Sequence, residues 1–242
     1  MDPALPKQRK TSVIPSRFIS DNDANSILNF CLELINKVGD YCCSVKPNTQ
    51  YFLGRTNILK EIVKEIHKEG MLAILDHKLS DIGSTNESAI FWISEMGFDA
   101  FTYSPFPGNI KETVVKSHER GLAVIVLTLM SNPEAENLMV NSRLDDSPFY
   151  LGIAKRVADA DADGCVIGLT DFVKDKYIQN IQEAVSDKVI FLMQGVGPQG
   201  GAINKVKIAK NPLVSVGREV IFSEHPEERA QEFQKILQNL AR

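Results

Sequence analysis

Short apolar, β-branched runs alternate along the chain with amphipathic stretches of about 10 to 16 residues. The alternation repeats eight times, and it predicts strands at residues 17–20, 42–46, 72–76, 100–103, 123–128, 164–167, 189–192 and 213–216. Each strand is followed by a helical pattern. In 24–38 the apolar positions Ile27, Leu28, Cys31, Leu34, Ile35 and Val38 share one face, and in 57–68 Ile58, Ile62, Val63 and Ile66 do the same. The run Ala123-Val124-Ile125-Val126-Leu127-Thr128 shows no polar alternation, as expected of a parallel strand buried on both faces and joined to its neighbours by crossover helices. Eight such βα units predict a closed (β/α)8 TIM barrel, a single domain over residues 15–242 behind a loose N-terminal arm at 1–14. An open doubly wound sheet is the alternative, disfavoured by the repeat count and by the lack of an early glycine fingerprint. No linker or low-complexity tract interrupts the pattern.

Composition narrows the function. The 242 residues carry 27 Lys and Arg against 31 Asp and Glu, a net charge of -4, which disfavours a nucleic-acid binder held by counterion release. Apolar content of 43% and charged content of 24% are those of an ordinary globular chain. Cys31, Cys42, Cys43 and Cys165 lack the spacing of a zinc or redox pair, so they are expected to be reduced, mostly buried thiols in a cytoplasmic protein. The apolar runs are too short for a membrane span, and the first residues contain no signal-like apolar segment. The sequon at Asn86 would matter only in a secreted chain. Neither a membrane nor a nucleic-acid partner is expected.

Chemistry concentrates where the third strand ends, in Leu75-Asp76-His77-Lys78-Leu79-Ser80-Asp81. Strand periodicity sends Asp76 and Lys78 to one side and His77 to the other. In a barrel the carboxyl ends of the strands form the catalytic face, and charges there are costly unless paired. A buried ion pair that merely closes the barrel end is the bland alternative. The second strand ends in Lys46-Pro47-Asn48, and adjacency of the strands would set the Lys46 ammonium beside Asp76; a snorkelling lysine is its alternative. Alternating signs favour the ionised form of each group.

Gln194-Gly195-Val196-Gly197-Pro198-Gln199-Gly200-Gly201 follows the seventh strand, and Gly217-Arg218 follows the eighth. Exposed backbone N–H groups after these two strands, with a guanidinium fork, form a phosphate cradle in such barrels.

Together these segments resemble the orotidine 5'-monophosphate decarboxylase family over residues 17–223. Asp76-His77-Lys78-Leu79-Ser80-Asp81-Ile82-Gly83-Ser84-Thr85 is similar to its D-x-K-x-x-D-I-G-x-T signature, and Leu129-Met130-Ser131-Asn132-Pro133 is similar to its serine-bearing loop. The resemblance implies decarboxylation of orotidine 5'-monophosphate to uridine 5'-monophosphate, a nucleotide substrate, no cofactor and no metal. It implies catalytic Lys46, Asp76, Lys78 and Asp81, with Lys78 as proton donor to C6 and Asp76 near the departing carboxylate. Ser131 would contact the pyrimidine amide, and Gln199, Gly217 and Arg218 the phosphate. Asp81, Ile82 and Thr85 would come from the partner of a homodimer with shared sites. The family ends its first strand in an aspartate that touches the ribose; Asp21, or Asp23, is the candidate here. Gln194 replaces a usual proline, and Glu219 a small residue.

A magnesium-dependent sugar-phosphate synthase or keto-acid decarboxylase on the same scaffold is the nearest rival. Such enzymes place a carboxylate on the second strand, where this chain has Lys46, and a lysine repels the metal. A non-catalytic nucleotide-phosphate-binding barrel is the other reading. His67, His118 and His225 lie in or beside helices without a partner at metal spacing and are read as solvated or capping. Trp92 is read as a core or dimer contact.

Overall fold

The structure is a computed structural model that describes residues 1–195 and 203–240. In chain order the elements are α1 (Asp23–Val38), β1 (Ser44–Val45), α2 (Leu59–Lys68), β2 (Leu72–Leu79), α3 (Gly83–Glu95), β3 (Ala100–Tyr103), α4 (Ile110–His118), β4 (Ala123–Leu129), β5 (Arg143–Leu144), β6 (Ser147–Pro148), α5 (Phe149–Asp159), β7 (Gly164–Gly168), α6 (Asp175–Ala184), β8 (Ile190–Gln194), β9 (Pro212–Ser215), α7 (Arg218–Ile221) and α8 (Pro226–Leu240). They fall into two compact units. One comprises Met1–His77, Glu95–Asp99 and Gly217–Arg242, and the other Lys78–Ser94 and Ala100–Val216.

In the first unit α1 starts where the Asn22 carboxamide accepts hydrogen bonds from Ala24 N and Asn25 N, satisfying two of the helix's orphan donors. Its apolar face, Ile27, Phe30, Cys31, Leu34, Ile35 and Val38, is buried, and α1 packs against α2 and α8. Strands β1 and β2 run parallel with Ser44 opposite Leu72 and Val45 opposite Ala73, and a further parallel bridge joins Asn48 to Asp76. The last turn of α2 is tied to the start of β2, because Asp99 Oδ2 lies 2.9 Å from His67 Nε2 and accepts from Ala73 N at 2.7 Å.

The first strand expected at 17–20 does not form. Ser16–Phe18 is a 3-10 turn, and the residues that follow are used to start α1: Ser20 N donates to Ser26 Oγ and Ser20 Oγ to Asn22 O, both at 2.9 Å. The polar Ser-Asp-Asn-Asp run therefore serves as a helix entry. Nor is the N-terminal arm loose. Ala4, Leu5 and Ile14 are buried, Ile14 N donates to Ala4 O at 2.9 Å, and Arg9 donates to the Tyr51 hydroxyl at 2.9 Å. Apolar residues interspersed among the charges give that segment something to bury.

The second unit is built on a parallel sheet of order β3-β4-β7-β8-β9. Strands β3, β4, β7 and β8 are nearly all buried, with Phe101, Val124, Val126, Cys165, Ile167, Phe191 and Met193 in the core, whereas β9 is only partly covered. The register sets Gly168 opposite Gln194 and Gln194 opposite Ser215, so the three strands end level. A second histidine clamp repeats the first: Asp163 Oδ2 lies 2.9 Å from His118 Nε2 and accepts from Val124 N at 2.7 Å. Both histidines thus fasten a helix end to its following strand and are not merely solvated. The antiparallel pair β5–β6 was not expected from the pattern.

Candidate active site

In the first unit β1 runs on into Lys46-Pro47-Asn48, and proline, lacking an N–H, interrupts the regular ladder before the Asn48–Asp76 bridge. Asp76 N donates to Pro47 O at 2.8 Å. This sets the side chains level, and Lys46 Nζ donates to Asp76 Oδ2 at 2.5 Å, with both residues largely withdrawn from water. A pair so placed is hydrogen-bonded as well as ionic, and removal of one partner from such a pair costs about 3 to 5 kcal/mol. His77 faces away from it, with Nδ1 3.2 Å from Thr49 Oγ1.

Met1 adds a neighbour that the pattern did not reveal. Its nitrogen donates to Lys46 O, and its carbonyl accepts from Asn48 N at 3.1 Å. That is the pattern of a parallel bridge, and it makes Asp2 the carboxylate next to the strand end that carries Lys46. Asp21 is exposed in the bend before α1. Asp23, at the start of α1, is held by Arg55 at 2.5 Å and Lys7 at 2.6 Å. The hydrogen bond from Lys7, opposed by desolvation and reinforced by Arg55, holds its carboxyl below the usual range.

In the second unit Lys78 has φ +54°, an unusual conformation for a residue with a side chain and one that concentrates at functional sites. Its N–H leaves the regular ladder and donates to Thr102 Oγ1 at 2.9 Å. Asp81 is exposed, and its Oδ1 accepts from Ile82 N at 2.8 Å. Its carbonyl is held by Asn86 Nδ2 at 2.6 Å and Asn109 Nδ2 at 3.3 Å, and Tyr103 OH donates to Asn109 Oδ1 at 2.5 Å. Ile82, 68% exposed, and Thr85 stand at the start of α3. Trp92 on the same helix is 62% exposed, so it is not a core residue.

Ser131 follows β4 and packs onto Gly168, where an added Cβ would come within 2.5 Å of Ser131 Cα. Gln194 closes β8, its carbonyl accepting from Leu169 N at 2.6 Å. Gln199 lies outside the described residues. In the first unit Gly217 and the exposed Arg218 begin α7, while Glu219 is held by Arg229 at 3.1 Å. Among the described residues no cluster of His, Cys, Asp or Glu has metal-binding geometry, and no helix is long and apolar enough to cross a membrane.

Parallel strands with crossover helices define the fold as that of a (β/α)8 barrel, with charged groups set where strands end. Solved structures agree on the fold: the UMP synthase of Leishmania donovani superposes with a TM-score of 0.80 at 22% identity, covering 92% of this chain and 52% of that one. This chain thus spans about half the length of that relative. The orotidine 5'-phosphate decarboxylase of Pyrococcus horikoshii OT3 superposes with a TM-score of 0.73 at 23% identity, covering 87% of this chain and 94% of that one. The model of the orotidine 5'-phosphate decarboxylase / HUMPS family matches residues 25–233. The orotidine 5'-phosphate decarboxylase of Roseiflexus castenholzii is 31% identical over 218 residues, 84% of this chain and 77% of that protein. The chain belongs to the orotidine 5'-phosphate decarboxylase / HUMPS family.

Proposed function

We propose that this protein decarboxylates orotidine 5'-monophosphate to uridine 5'-monophosphate and CO2, without a metal, in pyrimidine biosynthesis. The observation that carries the reading is the Lys46–Asp76 pair at 2.5 Å, two residues ahead of Lys78 with its left-handed backbone. Cleavage of the bond between C6 and the carboxylate carbon releases CO2 and leaves the electron pair on C6. The Lys78 ammonium stabilises that charge as it develops and then gives a proton to C6, after which solvent reprotonates the amine. Asp76, oriented by Lys46, faces the departing carboxylate. Ser131 holds the pyrimidine amide, and Gln199, Gly217 and Arg218 take the phosphate, whose binding positions the base. The bridge from Met1 to Lys46 and Asn48 supports Asp2, in place of Asp21 or Asp23, as the first-strand carboxylate on the ribose.

Asp81, Ile82 and Thr85 act across the interface of a homodimer, a role consistent with their exposure at the start of α3 beside exposed apolar Trp92. A magnesium-dependent reaction on sugar phosphates is disfavoured by the donor set, because the Lys46 ammonium already occupies Asp76 Oδ2.

Lys78→Ala tests the assignment. It should abolish turnover while leaving uridine 5'-monophosphate affinity within a few-fold of wild type. A variant that keeps more than a tenth of the rate, a barrier change under about 1.4 kcal/mol, would overturn it.

A further inference from the structure

Three chain segments meet in the second unit where β4, β7 and β8 end, and one short loop joins them. That loop is Leu169 to Val173, closed as a turn by Val173 N donating to Thr170 O at 3.1 Å. On one side Thr170 Oγ1 donates to Ser131 O at 3.0 Å. On the other, Lys205 Nζ donates to Thr170 O at 2.8 Å and to Val173 O at 2.6 Å. Lys205 sits in the 3-10 helix Ile203–Ile208, directly after the glycine-rich stretch of sequence. The entry to that stretch is held by the same loop, since Leu169 N donates to Gln194 O at 2.6 Å. Gly195, at φ +105°, lies so near that an added Cβ would be 3.4 Å from both Leu169 O and Thr170 Cγ2.

A surface lysine keeps its ammonium in water; Lys205 instead spends two of its three donors on backbone carbonyls of a single turn. An ammonium-to-carbonyl bond is charge-assisted and stronger than a neutral one. Thr170 is the common member: its hydroxyl fixes the Ser131 backbone and its carbonyl is fixed by Lys205.

We propose that Thr170 and Lys205 are positioning residues that form a latch between the Ser131 loop and the two ends of the glycine-rich segment, coupling engagement of the substrate's phosphate to placement of its base. This rests on the roles proposed above for Ser131 and for the phosphate loop. Neither latch residue touches substrate. The coupling runs through backbone carbonyls, so it depends on the hydroxyl and the cation and not on side-chain bulk.

The test compares wild type with Thr170→Val, Thr170→Ser, Lys205→Met, Lys205→Arg and the double variant Thr170→Val/Lys205→Met. Thermal melts verify folding. Calorimetry gives affinities for uridine 5'-monophosphate and for uridine, and steady-state kinetics give kcat and KM for orotidine 5'-monophosphate. Thr170→Val and Lys205→Met should weaken the nucleotide at least tenfold and the nucleoside less than threefold, and should lower kcat/KM at least tenfold. Thr170→Ser and Lys205→Arg should stay within threefold of wild type. The double variant should lose no more than the worse single one, because both break the same chain of bonds. Wild-type nucleotide affinity in Thr170→Val, equal losses for nucleotide and nucleoside, or full additivity in the double variant would overturn the latch. A wild type that binds the nucleotide but fails to turn over orotidine 5'-monophosphate would remove the decarboxylase reading and leave the latch to be decided by the two affinities. A wild type that binds neither ligand would sink both.

Discussion

Adding one methyl group at Gly168 probes the packing of the site loop with little else changed. A Cβ built there would lie 2.5 Å from Ser131 Cα, 2.7 Å from Ser131 Cβ and 2.8 Å from Ser131 N. Two of those atoms are backbone, so the contact cannot be relieved by a rotamer change, and one strand end or the Ser131 loop must shift. Strand β7 is held in place by its pairing with β8, where Gly168 faces Gln194. The Ser131 loop is the part that moves, and with it goes the hydrogen bond from Thr170 Oγ1 to Ser131 O. Overpacking of this kind costs about 1 to 3 kcal/mol. For a chain of this size each kcal/mol lowers Tm by about 2 to 4 °C, so Gly168→Ala should melt roughly 2 to 12 °C below wild type. Urea titration should show a lower midpoint at an unchanged slope, and turnover of orotidine 5'-monophosphate should fall at least tenfold as Ser131 is displaced. A variant with wild-type midpoint and wild-type turnover would refute the close approach and the role given to Ser131.

Thiol reactivity should be graded by burial: Cys43 is exposed, burial pushes the Cys42 thiol up to about 11 and the Cys165 thiol up to about 12, and Cys31 is pushed up further in the same direction. Titration with a disulfide reagent near pH 8 should find one fast thiol, and Cys31 or Cys165 reacting before unfolding would contradict the packing. Trp92→Ser with Phe106→Ser removes side chains that are 62% and 86% exposed; sedimentation should show a homodimer weakened toward monomer with turnover lost on dilution, and an unchanged assembly would place the interface elsewhere. Because Lys7 and Arg55 hold the Asp23 carboxyl below its usual range, its contribution to stability is complete above the unfolded-state pKa and is lost as pH falls. Asp23→Asn should therefore lower the urea midpoint at neutral pH and converge on wild type below about pH 4; a constant gap at all pH values would remove that ion pair from the account. Ile35→Ala, at a fully buried position of α1, should cost about 2 to 5 kcal/mol in urea unfolding.

The parallel core was legible because its strands are continuous apolar runs: β3 has the expected limits, and β2, β4, β7, β8 and β9 differ from expectation by one to three residues at an end. The charged motif at Asp76 and Lys78 was legible for the opposite reason, charge placed where a buried strand ends. The run at 17–20 failed because two apolar residues between Pro15 and the polar helix entry do not outweigh the capping bonds of Ser20 and Asn22. The approach of Met1 to the end of β1 was not legible, because it is made by bonds to Lys46 and Asn48, some 45 residues away, that no local period reports. The two histidine clamps follow no metal spacing: each His finds its Asp ahead of the strand one further along the sheet from the one it fastens, Asp99 before β3 and Asp163 before β7. Their shared form, His67-x-x-Gly70 and His118-x-x-Gly121, is visible in the chain. The left-handed backbone of Lys78 left no trace in the pattern, since positive φ is read from sequence chiefly at glycine and asparagine.

In the proposed reaction Lys78 delivers a proton to C6 after a metal-free loss of CO2. Turnover of orotidine 5'-monophosphate by the wild-type protein in D2O with excess chelator, followed by proton NMR of the product, tests it most directly. Uridine 5'-monophosphate bearing deuterium at C6 should form one-for-one with CO2, at a rate indifferent to chelator, and Lys78→Ala should give no product. Absence of turnover in the wild type, or turnover that requires added magnesium, would contradict it.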